Sequence, residues 1–191
     1  MRLFVAVDPG ARFRAELSTR LDAWRGRVRV AWVRAENLHL TLRFLGEMPE
    51  EALPELESAL RTAVAGHGPL TLRPGAVSAF PHLRQPRVLF LQCDSDGALE
   101  RLAAAVRTAT DPLLSAAQRD DQPFRAHLTL ARVKQALPAD EARLLAGIDL
   151  GAWPALGVGE VRLVRSVLRP EGPQYTDQCV IPLPGGGSAA G

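Results

Sequence analysis

The sequence has little cysteine, one lysine and no long apolar run. Two cysteines, Cys93 and Cys179, occur among 191 residues; they provide no disulfide framework or cysteine metal cluster and suit a reducing compartment. No stretch approaches the roughly 20 apolar residues that a membrane-spanning helix requires. The apolar start, residues 1–8, is too short and too soon acidic for a secretory signal. We therefore expect a cytoplasmic protein with no membrane partner.

The sequence also has no large excess of basic over acidic residues. The chain carries 23 basic and 21 acidic residues, for a formal net charge of +2, so the total does not demand extended binding to nucleic acid. Lys134 is the only lysine, and the other 22 basic residues are arginine. Arginine suits phosphate oxygens, but a GC-rich genome produces the same bias without any function.

What is present is the composition of a globular protein, with 47% hydrophobic and 23% charged residues. The length fits one domain or two small lobes. We expect a single domain over residues 1–183 and a disordered, glycine-rich tail over 184–191. Apolar spacing predicts helices after Asp8-Pro9, from residue 53, after residue 94 or 95, and at 138–146. It predicts strands at residues 2–8, 28–33, 38–45, 70–77, 88–92, 125–133, 161–168 and 175–181, the last two as a hairpin.

The tetrapeptide His-Leu-Thr-Leu occurs twice, at residues 39–42 and 127–130. Each copy lies in a predicted strand that follows a strand and a helix. The distance is 34 residues from Val5 to His39 and 37 residues from Phe90 to His127. This parallel order indicates an internal duplication, with two similar lobes related by a pseudo-two-fold axis.

Alternation along a strand places His39 and Thr41 on one face, opposite the leucines. By the same rule, His127 and Thr129 share one face of their strand. Two imidazoles across a cleft suit acid–base chemistry at phosphorus, because one can be a neutral base while the other is a protonated acid. The threonine hydroxyls can donate to the non-bridging oxygens. Such a site requires no metal. A single His-x-Thr is more often a surface pair, but two equivalent copies favour catalysis.

The paired motif lies in a framework that resembles the two-histidine (2H) phosphoesterases, and more closely the RNA 2′,3′-cyclic phosphodiesterases, historically named 2′-5′ RNA ligases. The resemblance extends from residue 2 to about residue 183. Its most specific parts are WVRAENLHLTLRFLGE at 32–47 and PFRAHLTLARVK at 123–134. It implies an α+β fold of two lobes, in which two antiparallel sheets flanked by helices enclose a central cleft.

The resemblance also implies a reaction. The family hydrolyses a 2′,3′-cyclic phosphate at an RNA end to a 2′-phosphate, without a metal or other cofactor. Carried over, His39 would donate a proton to the leaving 3′ oxygen and His127 would be the base that activates water. Thr41 and Thr129 would hold the phosphate oxygens.

Three arginines are further candidates for contacts with phosphate or ribose. Arg43 shares the face of His39 by alternation, although a solvated strand end suits it equally. Arg125 shares the face of His127. Arg132 lies on the leucine face by strict alternation, so it reaches the cleft only if the strand bulges or ends there. The family usually keeps a basic residue at that position.

Two departures from the family are mild. The family often has lysine where Arg43 stands, which keeps the charge, and proline where Ala126 stands, which leaves a backbone amide available. Two aromatic residues, Trp32 and Phe80, are candidates for stacking on a base, although for Trp32 we expect buried packing instead.

Three rival functions stay open at this point. The same site could carry out ATP-dependent or reversible 2′-5′ joining of RNA ends. A binding module would recognise RNA ends or a nucleotide without turnover, although two intact histidines argue against it. A zinc hydrolase would need clustered ligands that His-x-Thr does not supply, and the chain has no Gly-x-Ser-x-Gly elbow and no P-loop. We expect a monomer that acts on RNA ends or nucleotides bearing a 2′,3′-cyclic phosphate.

Overall fold

The computed structural model describes residues 1–119 and 122–185. Most of the predicted tail, residues 186–191, lies outside the described residues. Within these ranges the helices are α1 (Ala11–Arg25), α2 (Leu53–Val64), α3 (Ala98–Thr110) and α4 (Ala139–Ala146). The strands are β1 (Arg2–Val7), β2 (Ala31–Trp32), β3 (Leu40–Glu47), β4 (Leu70–Phe80), β5 (Val88–Asp94), β6 (His127–Arg132), β7 (Leu156–Val158), β8 (Glu160–Arg169) and β9 (Gly172–Pro182).

The strands form two antiparallel sheets, which confirms the predicted α+β class. One sheet has the order β3-β1-β8-β9, and the other has the order β2-β6-β5-β4-β7. In one sheet the His-x-Thr strand β3 pairs with β1, and in the other the His-x-Thr strand β6 pairs with β5. A helix lies between the two paired strands in the chain in both cases. The order β3-β1-β8 therefore corresponds to β6-β5-β4. Strand β3 also packs against β6. The two His-x-Thr strands therefore meet where the two sheets adjoin.

Strand β1 is buried on both faces, as its apolar run predicts. Leu3, Val5 and Val7 are at most 1% exposed and belong to the main core beneath the helices. Phe4 and Ala6 point to the opposite face and form a second, smaller cluster, against which Tyr175 of β9 packs. This second face of the β3-β1-β8-β9 sheet is the one that carries the site.

The first helix begins later than the sequence predicts. We expected Asp8 to cap a helix with Pro9 at its first position, but α1 begins at Ala11. The Asp8 carboxylate instead accepts a hydrogen bond from the Gly10 amide at 2.7 Å. Residues 8–10 therefore form a turn that ends β1 before the helix starts.

Both His-x-Thr strands carry a β-bulge directly after the threonine. In β3, Thr41 and Arg43 pair with consecutive residues of β1, so Leu42 is an extra residue. In β6, Leu130 is the extra residue in the same way. The internal repeat thus extends to a backbone irregularity, and each bulge reverses the in-and-out alternation of the residues that follow it.

Several strands differ from their predicted bounds, and β3, predicted at 38–45, begins only at Leu40, so His39 precedes it. The segment predicted at 28–33 forms a strand only at Ala31–Trp32, the one predicted at 70–77 continues to Phe80, and the short β7 was not predicted. Strands β2 and β7 are short segments next to β6 and β4 respectively. The lengths of β2 and β7 are set by pairing with β6 and β4 more than by their own apolar pattern. Apolar periodicity therefore did not predict these lengths. The predicted β8–β9 hairpin is confirmed.

Candidate active site

His39 lies between a 3-10 turn, Ala35–Asn37, and the start of β3. Its Nδ1 is 2.7 Å from the Asn37 carbonyl oxygen. Because a carbonyl only accepts hydrogen bonds, Nδ1 carries a proton and donates it. Nε2 is then the nitrogen left for proton transfer, and it lies 3.1 Å from Thr41 Oγ1. The ring stacks on Phe4 with centroids 4.8 Å apart and meets the edge of Tyr175 at 5.2 Å.

Asn37 is a site residue that the sequence analysis missed. It is 8% exposed, and its Nδ2 donates a 2.8 Å hydrogen bond to the carbonyl of Pro173 at the start of β9. The β8–β9 hairpin thus holds the turn whose carbonyl orients His39. The sequence does show an amide side chain two residues before the histidine. A buried amide needs hydrogen-bond partners, so this residue was the available signal for a positioning role.

His127 repeats this arrangement at the first residue of β6. Its Nδ1 lies 2.7 Å from the carbonyl oxygen of Arg125, again two residues earlier. Its ring meets Phe80 and Phe90 edge-on at 5.3 and 5.4 Å, and those two rings stack on one another. Both imidazoles therefore present Nε2 for chemistry and have aromatic neighbours that restrict their motion.

The two lobes share one electrostatic environment. Burial is the main cause that lowers the pKa of His39 below its ordinary value. Positive charge on His127 and Arg132 lowers that pKa further, whereas the Asn37 carbonyl and the Asp8 carboxylate oppose the change. His39, His127 and Arg132 are thus close enough for the charge on one lobe to affect protonation on the other.

Arg132 faces this site because β6 bulges, which is the condition that the sequence analysis set. Leu130 and Ala131 are both fully buried, and the alternation resumes with Arg132 exposed on the His127 face. Its charge acts on His39 and also on Tyr175. Arg132 therefore lies on the same face of β6 as His127, and its charge acts on His39.

Arg43 is not part of this site, and the alternation that placed it beside His39 was wrong. Because Leu42 is an extra residue, the Arg43 side chain turns to the helix side, where it is only 4% exposed and its Nη2 lies 2.5 Å from Asp111 Oδ1. Asp111 directly follows α3. The next residue, Phe44, takes the place on the His39 face, opposite Phe4.

Of the other candidates from the sequence, Arg125 and Phe80 contact His127, whereas Trp32 packs against the core. Arg125 contributes its carbonyl to His127, and its side chain is exposed before β6. Phe80 contacts His127 directly. Trp32 packs against the core, and its Nε1 donates to the Val28 carbonyl at 3.3 Å, as expected of a packing residue.

Residues 1–119 and 122–185 contain no group of three histidine, cysteine or carboxylate side chains that could hold a metal ion. The helices in the same ranges include none with the length and apolar character needed to cross a membrane.

Comparisons with known proteins identify the family of the chain. A family model described as the 2′-5′ RNA ligase superfamily matches residues 13–167. An RNA 2′,3′-cyclic phosphodiesterase of Archaeoglobus fulgidus is 38% identical over 93% of this chain and 97% of its own. One of Thermus thermophilus is 38% identical over 92% of this chain and 87% of its own.

Solved structures show the same fold. The crystal structure of the Thermus thermophilus protein TT0787 superposes with a TM-score of 0.82 at 33% identity, covering 96% of this chain and 98% of that chain. The structure of E. coli LigT complexed with 3′-AMP superposes with a TM-score of 0.72 at 27% identity, with the same coverage.

Proposed function

The chain belongs to the 2′-5′ RNA ligase superfamily of two-histidine phosphoesterases, and from this membership we propose that it is an RNA 2′,3′-cyclic phosphodiesterase. It opens the cyclic phosphate at an RNA end and leaves a 2′-phosphate. One observation carries the proposal. Two His-x-Thr strands meet where the sheets adjoin, and each histidine donates its Nδ1 proton to a carbonyl two residues earlier.

The reaction requires one acid and one base on opposite sides of phosphorus. His127 Nε2 accepts a proton from water as the water oxygen bonds to phosphorus. His39 Nε2 donates a proton to the 3′ oxygen as the bond between that oxygen and phosphorus breaks. The family supplies the assignment of the two roles, because the near-symmetry of the site makes them interchangeable on geometry alone. Before the next turnover His127 releases its extra proton to solvent, and His39 takes one up.

The charge on the phosphate is held by neutral and cationic donors. Thr41 and Thr129 follow their histidines on the same strand face and are half-buried, so their hydroxyls can donate to the two non-bridging oxygens. Arg132 lies on the His127 face of β6, acts on His39 through its charge, and supplies the positive charge for the phosphate. Donors fixed in place before the reaction stabilise the additional charge of the transition state without having to reorient.

The product made from 2′,3′-cyclic AMP tests the function. We expect 2′-AMP, formed at the same rate with and without EDTA. Formation of 3′-AMP, loss of activity in EDTA, or binding without turnover would each contradict the proposal. An RNA with a 5′-hydroxyl and a 2′,3′-cyclic end, assayed in parallel, distinguishes the ligase alternative, which yields a 2′-5′ linkage in place of the free 2′-phosphate.

A further inference from the structure

A series of ring contacts leads from His39 to the open surface of the β3-β1-β8-β9 sheet. The His39 ring stacks on Phe4, and Phe4 lies 6.1 Å from the ring of Phe44. Phe4 is 3% exposed, whereas Phe44 is 58% exposed. The series therefore begins at a catalytic imidazole and ends at an open aromatic ring.

The exposure of Phe44 follows from the bulge at Leu42. Without the extra residue, Phe44 would point into the core and Arg43 would point outward. The bulge reverses this pattern, so the charged residue is buried and the aromatic one faces solvent. The corresponding position after the second bulge is Arg132, three residues beyond Thr129 as Phe44 is three beyond Thr41. The two lobes thus present a ring and a guanidinium at equivalent places.

Arg2 supplies a positive charge on the same face as the open ring, beside Glu47, its cross-strand neighbour in β3. Arg2 precedes Phe4 by two residues in β1, so its side chain lies on the same face, and it forms no ion pair with any residue that the structure describes. The charges of Arg2 and Arg132 both oppose the rise that burial causes in the pKa of Tyr175. Both guanidinium groups are therefore near Tyr175, which touches Phe4 and His39.

The direction of the reaction places the substrate strand over this face. In-line attack puts water on the His127 side and the leaving 3′ oxygen on the His39 side. The ribose that carries this oxygen, and the RNA that precedes it, then lie on the His39 lobe. This step depends on the proposed function and on His39 being the acid.

We propose that Phe44 and Arg2, with Phe4 beneath them, form a strand platform that binds the nucleotide preceding the terminal cyclic phosphate. The base of that nucleotide stacks on Phe44, and its phosphate contacts Arg2. Exposed rings beside cationic groups are how proteins hold single-stranded nucleic acid without reading its sequence. The ring of Phe4 lies between the rings of Phe44 and His39. Phe44 therefore lies beyond the terminal ribose, at the position of the preceding nucleotide. The substrate is therefore an RNA strand, and a mononucleotide uses only part of the site.

The test compares two substrates in each variant. They are 2′,3′-cyclic AMP and the dinucleotide ApA that ends in a 2′,3′-cyclic phosphate. Stacking of one base on an aromatic side chain is worth about 1–3 kcal/mol, which is roughly a 5- to 150-fold change. We expect wild type to prefer the dinucleotide in kcat/KM by a factor in this range. Phe44→Ala and Phe44→Leu should remove that preference, and Phe44→Tyr should keep it.

Arg2→Gln should raise KM for the dinucleotide and reduce its dependence on salt, because one phosphate contact is lost. It should leave 2′,3′-cyclic AMP unaffected. Two variants serve as matched controls: Val180→Ala shortens an apolar side chain that is 41% exposed on the opposite edge strand, and Arg101→Gln removes an exposed arginine from α3. Neither should change the ratio between the two substrates.

The outcomes separate this proposal from the function. If wild type hydrolyses both substrates equally well, or if Phe44→Ala slows both to the same extent, the strand platform is wrong while the phosphodiesterase activity stands. If neither substrate is hydrolysed by wild type, the proposed function fails first. Equal effects of Phe44→Leu and Phe44→Tyr would show that the ring does not stack.

Discussion

His39 and His127 each form a 2.7 Å bond from Nδ1 to a carbonyl, which leaves Nε2 for the substrate. General acid or base catalysis by a positioned group contributes at least about 10²-fold. We therefore expect His39→Ala and His127→Ala each to lower kcat on 2′,3′-cyclic AMP by that factor or more. Thermal melting by circular dichroism should change little, because both rings lie on the site face and outside the main core beneath the helices.

The exposed loop residue His82 provides a matched control, and His82→Ala should keep wild-type turnover. Near-wild-type kcat in either His39→Ala or His127→Ala would remove that imidazole from the mechanism.

Asn37 positions His39 through the backbone, so its effect should appear in kcat more than in KM. Asn37→Ala removes the bond to the Pro173 carbonyl and loosens the turn that orients the imidazole. A displaced catalytic group can cost up to about 10²-fold in rate. A substrate with a better leaving group should recover most of the loss, since it needs less help from the acid.

Arg34→Ala is the control for this prediction. Arg34 also donates to the same hairpin, at the Glu171 carbonyl, but not beside the His39 partner. Equal losses in Arg34→Ala and Asn37→Ala, or a loss that a good leaving group does not reduce, would assign Asn37 a purely structural role.

At the scale of elements, the two bulges decide which arginine side chain lies on the histidine face: Arg132 does and Arg43 does not. A hydrogen bond to a charged group is worth about 1.5–3 kcal/mol. Arg43→Met should therefore lower the free energy of unfolding by about that amount and leave kcat/KM of the folded enzyme unchanged. Arg132→Met should show the opposite pattern, with normal stability and kcat/KM reduced by roughly 10- to 150-fold. Urea denaturation and steady-state kinetics on the two variants measure both effects, and an activity loss in Arg43→Met would return Arg43 to the site.

The Glu141 carboxylate of helix α4 binds Arg29 in the segment before β2. Glu141 accepts the Arg29 amide and pairs with the Arg29 Nε, each at 2.7 Å. These bonds lower the pKa of Glu141. Because the folded pKa is depressed, the stabilisation is present above the unfolded value of about 4.3 and is lost as pH falls through the folded value.

The stability difference between wild type and Glu141→Gln should therefore be largest near neutral pH and shrink below about pH 4. Urea midpoints measured at several pH values give this difference, and Glu55→Gln, at an exposed carboxylate in the first turn of α2, is the control. A difference that does not vary with pH would mean that the charge on Glu141 is not what fastens the helix.

The elements that the sequence predicted well are those with their own apolar period, such as α2 and β1. The bulges could not be foreseen, because an extra residue in β3 is defined only by its pairing with β1. The same limit applies to the site. A repeated tetrapeptide singled out His39 and His127, but Asn37, Phe44 and Tyr175 acquire their positions through strands that are distant in the chain. Sequence alternation therefore placed Arg43 wrongly and left Arg132 conditional.

At the scale of the whole molecule, the two lobes must hold different protonation states at once, and the pH–rate profile reports this. If His39 is the acid, the active form has His39 protonated and His127 neutral, so kcat/KM should be bell-shaped. Burial lowers the pKa of His39, with the charges of His127 and Arg132 acting in the same direction. A lower pKa means that the acid loses its proton at lower pH. The limb that His39 governs should therefore lie below the ordinary histidine value of about 6.5.

Substitutions in the surrounding charges identify which limb belongs to His39, even though both apparent pKa values describe the coupled pair. Asp8→Asn removes a carboxylate that raises the pKa of His39, so it should move the limb that His39 governs to lower pH. Arg132→Met removes an opposing charge and should move the same limb to higher pH, besides reducing the rate. Asp177→Asn, which removes a carboxylate that is not among the groups acting on His39, should move neither limb. If neither limb moves in Asp8→Asn and Arg132→Met, the titration of His39 does not govern the rate.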